Sequence, residues 1–262
     1  MRIAVIGLGE AGAIYGTALA QAGHEVTGAD PAVSQAPQGI ALAASAAEAA
    51  AGRDLVLVLT GARAGAAVAA EVLPVLPAGA VYADMTSAAP TSKEQLGESA
   101  GPVAYADVAI LGAVVALRER TPLMASGPGA QALAPVLEGI GAPVQVVDGG
   151  SGAAMGHKLV RSVFMKGLAS VVLEAVQAGR AAGIEPWIRD QVAAQLAGDG
   201  QATIDRFLTG TVKHAGRRSQ EMRDVAAYLE DLGVPREMST ASAEAMESLL
   251  RTAETAGQEG ES

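Results

Sequence analysis

The first twelve residues constrain the fold of this chain more than any other segment. Arg2–Ile6 is a short apolar run rich in β-branched residues, which is typical of a buried parallel strand. Gly7, Gly9 and Gly12 follow with the spacing G-x-G-x-x-G, and a helix of small residues is predicted over residues 13–22. A strand, a glycine turn and a helix in this order predict a βα unit whose helix N-terminus binds a pyrophosphate.

Each glycine of this motif has its own physical role. Gly7 permits the tight turn, Gly9 lets the backbone approach a pyrophosphate because it has no side chain, and Gly12 allows close packing of helix on strand. The alternative is a glycine-rich turn without a ligand, which the strand-turn-helix context disfavours. The expected cofactor contacts at this turn are therefore Gly7, Leu8, Gly9, Glu10, Ala11 and Gly12. Thr60, after a later predicted strand, is a further candidate.

An acidic residue follows the second predicted strand, residues 26–29. Asp30 lies about 20 residues beyond the glycines, where a carboxylate can accept a hydrogen bond from an adenine ribose 2′-hydroxyl. The same charge would repel a 2′-phosphate, and no Arg or Lys occurs from Gly23 through Gly52 to bind one. The sequence therefore predicts NAD in preference to NADP. Asp30-Pro31 can also cap a turn, and the two roles are compatible.

Strands and helices alternate up to about residue 150, which predicts a doubly covered parallel sheet. Further strands are predicted at residues 55–59, 81–84, 103–110, 122–126 and 144–147, and helices at 43–51, 62–72, 90–98 and 131–140. Only helices are predicted afterwards, at residues 153–183, 186–196, 203–208, 219–232 and 239–251, before a frayed polar tail at 254–262. We therefore expect an α/β fold with an N-terminal Rossmann dinucleotide-binding domain (1–150) and an all-α C-terminal domain (151–262) led by a long helix.

Composition excludes several other classes of protein. Half of the 262 residues are hydrophobic, yet no apolar run reaches the length of a membrane span, and Glu10 interrupts the first run before it could be a signal peptide. The net charge of −10 argues against nucleic acid or an anionic membrane as partner. The absence of cysteine excludes disulfides and thiolate chemistry and fits a cytoplasmic protein. The histidines lack zinc-ligand spacing, so no metal is expected, and no G-x-S-x-G marks a hydrolase.

Further segments carry a resemblance to a known family. They are residues 84–90 (DMTSAAP), 107–112 (DVAILG), 149–152 (GGSG) and 156–162 (GHKLVRS). With the opening glycines they resemble the β-hydroxyacid dehydrogenase family, which includes 3-hydroxyisobutyrate and 6-phosphogluconate dehydrogenases, over about the first 185 residues in the same βαβ-then-helix order. Residues 214–222 resemble a branch of that superfamily with its own C-terminal domain.

The resemblance implies that Lys158 is the catalytic lysine. Oxidation of an alcohol sends hydride to the nicotinamide while a base takes the hydroxyl proton, and a lysine can be that base if its pKa is lowered. The implied activity is reversible NAD(H)-dependent oxidation of a small hydroxyacid that carries a carboxylate or phosphate. The alternative is a surface lysine. Ser162 lies one turn beyond, where the family has Asn, and it either contacts substrate or packs.

Other implied substrate contacts depart from the family pattern. Thr86 and Ser87 match a Ser-Thr pair near the nicotinamide, although either could cap the next helix instead. The family's Ser-Gly-Gly is replaced by Leu111-Gly112-Ala113, so carboxylate binding there would use backbone N–H groups of Gly112 and Ala113. His214, Arg217 and Arg218 can supply the missing polarity; alternatively they form a solvated turn, with Arg217 paired to Glu221.

These departures leave two other functions open. An imine reductase shares the fold and usually lacks the lysine, and a non-catalytic NAD-binding protein would keep only the glycines. The apolar helices of the second domain are too many for about 110 residues to bury alone, which predicts a homodimer through that domain.

Overall fold

The computed structural model describes the backbone of residues 1–259 and the side chains of residues 1–252. The chain forms two compact units that divide after Arg161, within a long helix. The strands of the first unit are β1 (Arg2–Ile6), β2 (Glu25–Ala29), β3 (Ile40–Leu42), β4 (Leu55–Val58), β5 (Val81–Asp84), β6 (Ala104–Ile110), β7 (Leu123–Ser126) and β8 (Val144–Val146). Its helices are α1 (Glu10–Gln21), α2 (Ala46–Ala50), α3 (Gly65–Val72), α4 (Pro90–Ser99), α5 (Val114–Leu117) and α6 (Ala130–Glu138), followed by the start of α7 (Ala153–Ala181).

The sheet of the described chain has the strand order β3-β2-β1-β4-β5-β6-β7-β8. Neighbouring strands are parallel except β6 and β7, which are antiparallel, so the prediction of a wholly parallel sheet is wrong at this point. The connection between β6 and β7 contains the four-residue α5 and a turn of 3-10 helix. Because it lacks a full crossover helix, the chain returns along the sheet in the opposite direction.

Both faces of the sheet are covered by helices, which confirms the predicted architecture. On one face Ile3 and Val5 of β1 pack in a buried cluster with Tyr15 and Leu19 of α1 and with α6. On the other face the intervening β1 residues join a second cluster with α2 and α3. Because successive side chains of a strand point to opposite faces, a continuous apolar run such as β1 supplies both layers.

Some element boundaries differ from the sequence prediction. The three-residue edge strand β3 and the short α5 were not predicted, because segments of this length carry little periodicity. Helix α1 begins at Glu10, whose negative charge is favourable beside a helix N-terminus. The tail predicted to fray continues as helix to Glu259, and residues 260–262 lie outside the described residues.

The second unit is helical, as predicted. It contains the remainder of α7 with α8 (Glu185–Leu196), α9 (Gly200–Lys213), α10 (Ala215–Asp231) and α11 (Glu237–Glu259). Glu174 of α7 is buried, and its carboxylate accepts hydrogen bonds from the amides of Met238 and Ser239 at 2.7 and 2.9 Å and from the Ser239 hydroxyl at 2.6 Å. A buried carboxylate of one helix therefore caps the first turn of another.

Among the described residues, none of the helices combines the length and the apolar character needed to cross a bilayer.

Candidate active site

The glycine turn between β1 and α1 has the geometry that its spacing predicts. Gly7 has a φ of 92°, and a Cβ there would lie 2.8 Å from the carbonyl oxygen of Leu59. A Cβ on Gly12 would overlap the carbonyl oxygen of Gly7. A Cβ on Gly9, in contrast, would meet no heavy atom within 4 Å. The fold therefore requires glycine at the first and third positions, whereas Gly9 leaves open space over the start of α1.

The amides that follow this turn lie at the start of a helix, where an anion could accept hydrogen bonds from them. Gly9 is the N-cap of α1, so Glu10, Ala11 and Gly12 form the first turn, where backbone N–H groups lack intrahelical partners. Leu8 differs from them, because its side chain is buried and its amide donates to the carboxylate of Asp30 at 2.8 Å. The first turn of α1 is therefore the candidate anion site.

Asp30 fixes the loop after β2 and retains capacity for a further partner. Its second carboxylate oxygen accepts the amide of Ala32 at 2.8 Å, which is the turn-capping role expected of Asp30-Pro31. Each carboxylate oxygen has two lone pairs, so each oxygen of Asp30 can accept one further hydrogen bond beside these amides.

A cavity of about 650 Å³ opens beside the glycine turn, in the size range of small-molecule sites. Its lining includes Gly7, Gly9, Asp30, Thr60 and Glu71, and among the described lining residues none is Lys or Arg. The hydroxyl oxygen of Thr60 is buried there and has no hydrogen-bond partner among the described residues. Buried hydroxyls are normally satisfied, so this one fits a site completed by a ligand.

A buried ion cluster lies under the loops that follow β5 and β6. Lys93 of α4, Asp84 of β5 and Asp107 of β6 are each at most 1% exposed. The Lys93 ammonium lies 2.8 Å from Asp107 Oδ1 and 3.5 Å from Asp84 Oδ1, and it donates to the Asp84 carbonyl at 2.8 Å. Two carboxylates and one ammonium leave a net negative charge that other donors must stabilise.

Asp84 receives two such donors. The Tyr105 hydroxyl donates to Asp84 Oδ2 at 2.7 Å, and burial, reinforced by the charge of Asp84, raises the pKa of this phenol, so it remains a donor. The amide of Thr86 donates to Asp84 Oδ1 at 2.8 Å. The cluster therefore fixes the loop that carries Thr86.

The alternative reading of Thr86 and Ser87 as helix caps is wrong. Ala89 is the N-cap of α4, and no side chain caps that end. The buried Thr86 hydroxyl instead accepts the amide of Ala88 at 3.3 Å, and Ser87 is exposed beside it.

Asp107 connects the cluster to the start of α7. Its Oδ2 accepts the amide of Met155 at 2.9 Å, while the hydroxyl of Ser126 accepts the amide of Ala154 at 3.0 Å and donates to the carbonyl of Gly150 at 3.1 Å. Lys158 follows Met155 by three residues on the same helix and is half-buried. Strands β6 and β7 thus hold the helix turn that precedes Lys158.

The remaining predicted residues lie on surface loops and on helices of the second unit. Gly112 and Ala113 are exposed after β6, and Ser162 lies one turn beyond Lys158 on α7.

His214 joins α9 to α10, the Arg217 guanidinium pairs with Glu221, and Arg218 donates to the Thr211 hydroxyl at 2.8 Å. The alternative pairing of Arg217 with Glu221 is therefore present, and the substrate roles of these residues stay predictions.

Sequence reasoning missed Lys93, Ser126 and Tyr105. The available signal was charge in apolar surroundings: aspartates inside strands that must be buried require a partner. No local spacing identifies that partner, because Lys93 approaches Asp107 only through the packing of α4 on the sheet.

Two segments of the chain match known protein families. Residues 2–149 match the family described as the NAD binding domain of 6-phosphogluconate dehydrogenase, and residues 180–249 match a domain of unknown function, DUF1932. An uncharacterized 28.5 kDa protein of Methanothermus fervidus is 24% identical over 152 residues, which cover 57% of this chain and 58% of that protein. The chain thus matches less than two thirds of that relative's length.

Solved structures resemble the whole chain. A conserved protein of unknown function, described as similar to 3-hydroxyacid dehydrogenases, is 21% identical with a TM-score of 0.64, covering 95% of this chain and 96% of its own. A reductive aminase from Aspergillus terreus, in complex with a nicotinamide cofactor (NADPH4), cyclohexanone and allyl amine, is 20% identical with a TM-score of 0.77, covering 96% and 94%. At these identities the likeness shows the fold.

The ion cluster makes a direct prediction about stability. Replacement of Lys93 by Met leaves two buried carboxylates without their ammonium, so the free energy of unfolding should fall by about 3–5 kcal/mol. Lys166→Met, the same substitution at an exposed site of α7, should change it by less than about 0.5 kcal/mol. Urea unfolding followed by circular dichroism measures both, and equal effects would contradict the role assigned to Lys93.

Proposed function

This chain belongs to the family of the NAD binding domain of 6-phosphogluconate dehydrogenase, and we propose that it is a nicotinamide-dependent oxidoreductase. Its reaction is hydride transfer between the nicotinamide and the hydroxyl or carbonyl of a small hydroxyacid that carries a carboxylate or phosphate. The observation that carries this proposal is the open space at Gly9, over the N-terminus of α1 and beside a cavity lined by Asp30 and Thr60.

The cofactor is held by groups of the first unit. The amides of Glu10, Ala11 and Gly12 donate to the pyrophosphate, and Asp30 accepts from the adenine ribose. The buried Thr60 hydroxyl, which lines the same cavity, is a further hydrogen-bond partner of the cofactor. When bound, the dinucleotide supplies a hydride donor or acceptor at its nicotinamide ring. The chain provides the binding, the orientation and the proton.

Lys158 moves that proton. In oxidation its amine accepts the proton of the substrate hydroxyl, and in reduction its ammonium returns one to the substrate oxygen.

Thr86 and Ser87 contact the reacting end of the substrate or cofactor, and Gly112 and Ala113 offer backbone N–H groups to a carboxylate. Ser162 is proposed as a hydrogen-bond partner of the substrate, and His214, Arg217 and Arg218 as partners of its anionic group.

Lys158→Met tests the acid–base role. Because a positioned acid–base group contributes about 10²–10⁴-fold, kcat should fall by at least about 100-fold while the Kd for NADH stays within about twofold. NADH formation from NAD⁺ is followed over a panel of 2- and 3-hydroxyacids and sugar acids. Lys166→Met, an exposed lysine of the same helix, is the matched control and should turn over like wild type. Equal turnover by the Lys158 and Lys166 variants would remove Lys158 from the mechanism.

Imine reduction is the second candidate. Leu111 replaces the serine that the hydroxyacid family uses for carboxylates, and Ser162 replaces its Asn. The A. terreus reductive aminase, which has this fold, was solved with a ketone and an amine. Binding of NADH without turnover of any hydroxyacid, followed by turnover of cyclic imines, would favour this function. A chain that binds NADH and turns over neither class would be a non-catalytic binding protein.

NAD is proposed over NADP on the charges of the cavity. Both Asp30 and Glu71 line the cavity. The 2′-phosphate of NADPH would bring a negative charge near these carboxylates, and like charges placed together weaken binding by several kcal/mol. NADPH should therefore bind at least about tenfold more weakly than NADH. Asp30→Asn should reduce that ratio. The matched control is Asp54→Asn, since Asp54 also accepts a backbone amide at 2.8 Å but lies outside the cavity lining. Isothermal titration of both cofactors measures the ratio, and tighter NADPH binding by wild type would overturn the assignment.

The second unit is proposed to bind another copy of this chain. Val163, Phe164 and Leu173 of α7 and Phe207 and Leu208 of α9 are each more than half exposed. Phe164 and Phe207 also line a cavity of about 450 Å³, whose mostly apolar walls come from α7, α8 and α9. Apolar surface of this extent marks an interface, and closed twofold symmetry is the commonest way to bury it.

Light scattering measures that assembly. Wild type should have twice the chain mass of 26.1 kDa, and Phe164→Asp should shift it toward the single chain. Val115→Asp replaces an apolar side chain of the first unit with the same 65% exposure, so it should leave the dimer intact. A monomeric wild type would contradict the dimer proposal.

A further inference from the structure

We propose that Asp107 and Ser126 are positioning residues for Lys158: they hold the first turn of α7 and thereby set where the Lys158 amine lies. This inference rests on the proposed function, because it concerns how the lysine assigned to proton transfer is placed.

Two of the first amides of α7 are bonded to residues of the sheet. The first amides of a helix lack intrahelical acceptors, and those of Ala154 and Met155 are taken by Ser126 of β7 and Asp107 of β6. These acceptors lie 28 and 48 residues away along the chain. All of the side chains involved belong to the compact first unit, as does Lys158.

Charge makes this attachment stiff. Asp107 uses one oxygen for the Lys93 ammonium and the other for Met155, and it is fully buried. The net negative charge of the ion cluster faces the positive N-terminal end of the α7 dipole. A shift or rotation of α7 would take the Met155 amide away from a buried carboxylate oxygen, and loss of a hydrogen bond to a buried charge is costly.

The distance to Lys158 is short enough to transmit that restraint. Lys158 is the third residue after Met155, which is a rise of about 4.5 Å along the helix, less than one turn. A misplacement of about 1 Å can cost about 100-fold in rate, so loosening this turn should lower kcat without changing cofactor binding.

Asp107→Asn and Ser126→Ala test the proposal, and Glu174→Gln is the control. An amide has one acceptor oxygen where the carboxylate has two, so Asp107→Asn satisfies either Lys93 or Met155 but not both. Glu174→Gln makes the same exchange in a buried carboxylate that caps α11. Each variant is measured for melting temperature, Kd for NADH and kcat on the best substrate of the panel, alone and combined with Lys158→Met.

We expect kcat to fall about 10- to 100-fold in Asp107→Asn and in Ser126→Ala, with the Kd for NADH within about twofold of wild type. No further loss of kcat is expected when Asp107→Asn is added to Lys158→Met, because Asp107 acts through the lysine. Glu174→Gln should lower the melting temperature yet keep the wild-type kcat.

Contrary outcomes separate the two claims. If Lys158→Met turns over like wild type, the proposed function fails and the positioning role fails with it. If Lys158→Met is inactive but Asp107→Asn and Ser126→Ala keep full kcat, the positioning role alone is wrong. An additive loss in the Asp107→Asn/Lys158→Met variant, or an equal kcat loss in Glu174→Gln, likewise assigns these residues a structural role only.

Discussion

The Lys93 ammonium, buried between the carboxylates of Asp84 and Asp107, is the interaction on which the rest of the first unit depends. It joins α4 to β5 and β6, and through the two carboxylates it fixes the Thr86 loop and the first turn of α7. A buried ion pair adds little net stability compared with apolar packing, although removal of one partner is costly. Instead it fixes geometry, because the aspartate oxygens face different partners. Asp84 faces the Thr86 amide and the Tyr105 hydroxyl, and Asp107 faces the Lys93 ammonium and the Met155 amide.

Helix α7 is held at its start by a buried carboxylate and holds another helix by the same means. Asp107 accepts from the first turn of α7, and Glu174 of α7 accepts from the first turn of α11. In both cases a negative charge meets the positive end of a helix dipole away from solvent, where such hydrogen bonds are strong. Side chains distant in sequence thus define where the principal helices of each unit begin.

Features that depend on local sequence could be predicted, and features that depend on tertiary contact could not. The glycine turn, the apolar strands and the succession of helices follow from spacing and periodicity, as β1 and α1 show. The antiparallel direction of β7 and the identity of the partner of Asp107 depend on how distant segments pack. Likewise, the sequence allowed Thr86 to be a helix cap or a site residue, and only the hydrogen bonds of Asp84 and Ala88 decided against the cap.

Dinucleotide binding at the glycine turn is the central claim, and Gly9 allows the most direct measurement. Its backbone is extended (φ −62°, ψ −166°) and a Cβ meets nothing within 4 Å, so Gly9→Val should fold normally while filling the space for the pyrophosphate. Titration of NADH fluorescence should show saturable binding by wild type and by the control Gly200→Val, whose added Cβ is equally unobstructed, and a loss of at least about 100-fold in Gly9→Val. Wild-type affinity in Gly9→Val, or no saturable binding by wild type, would contradict the assignment.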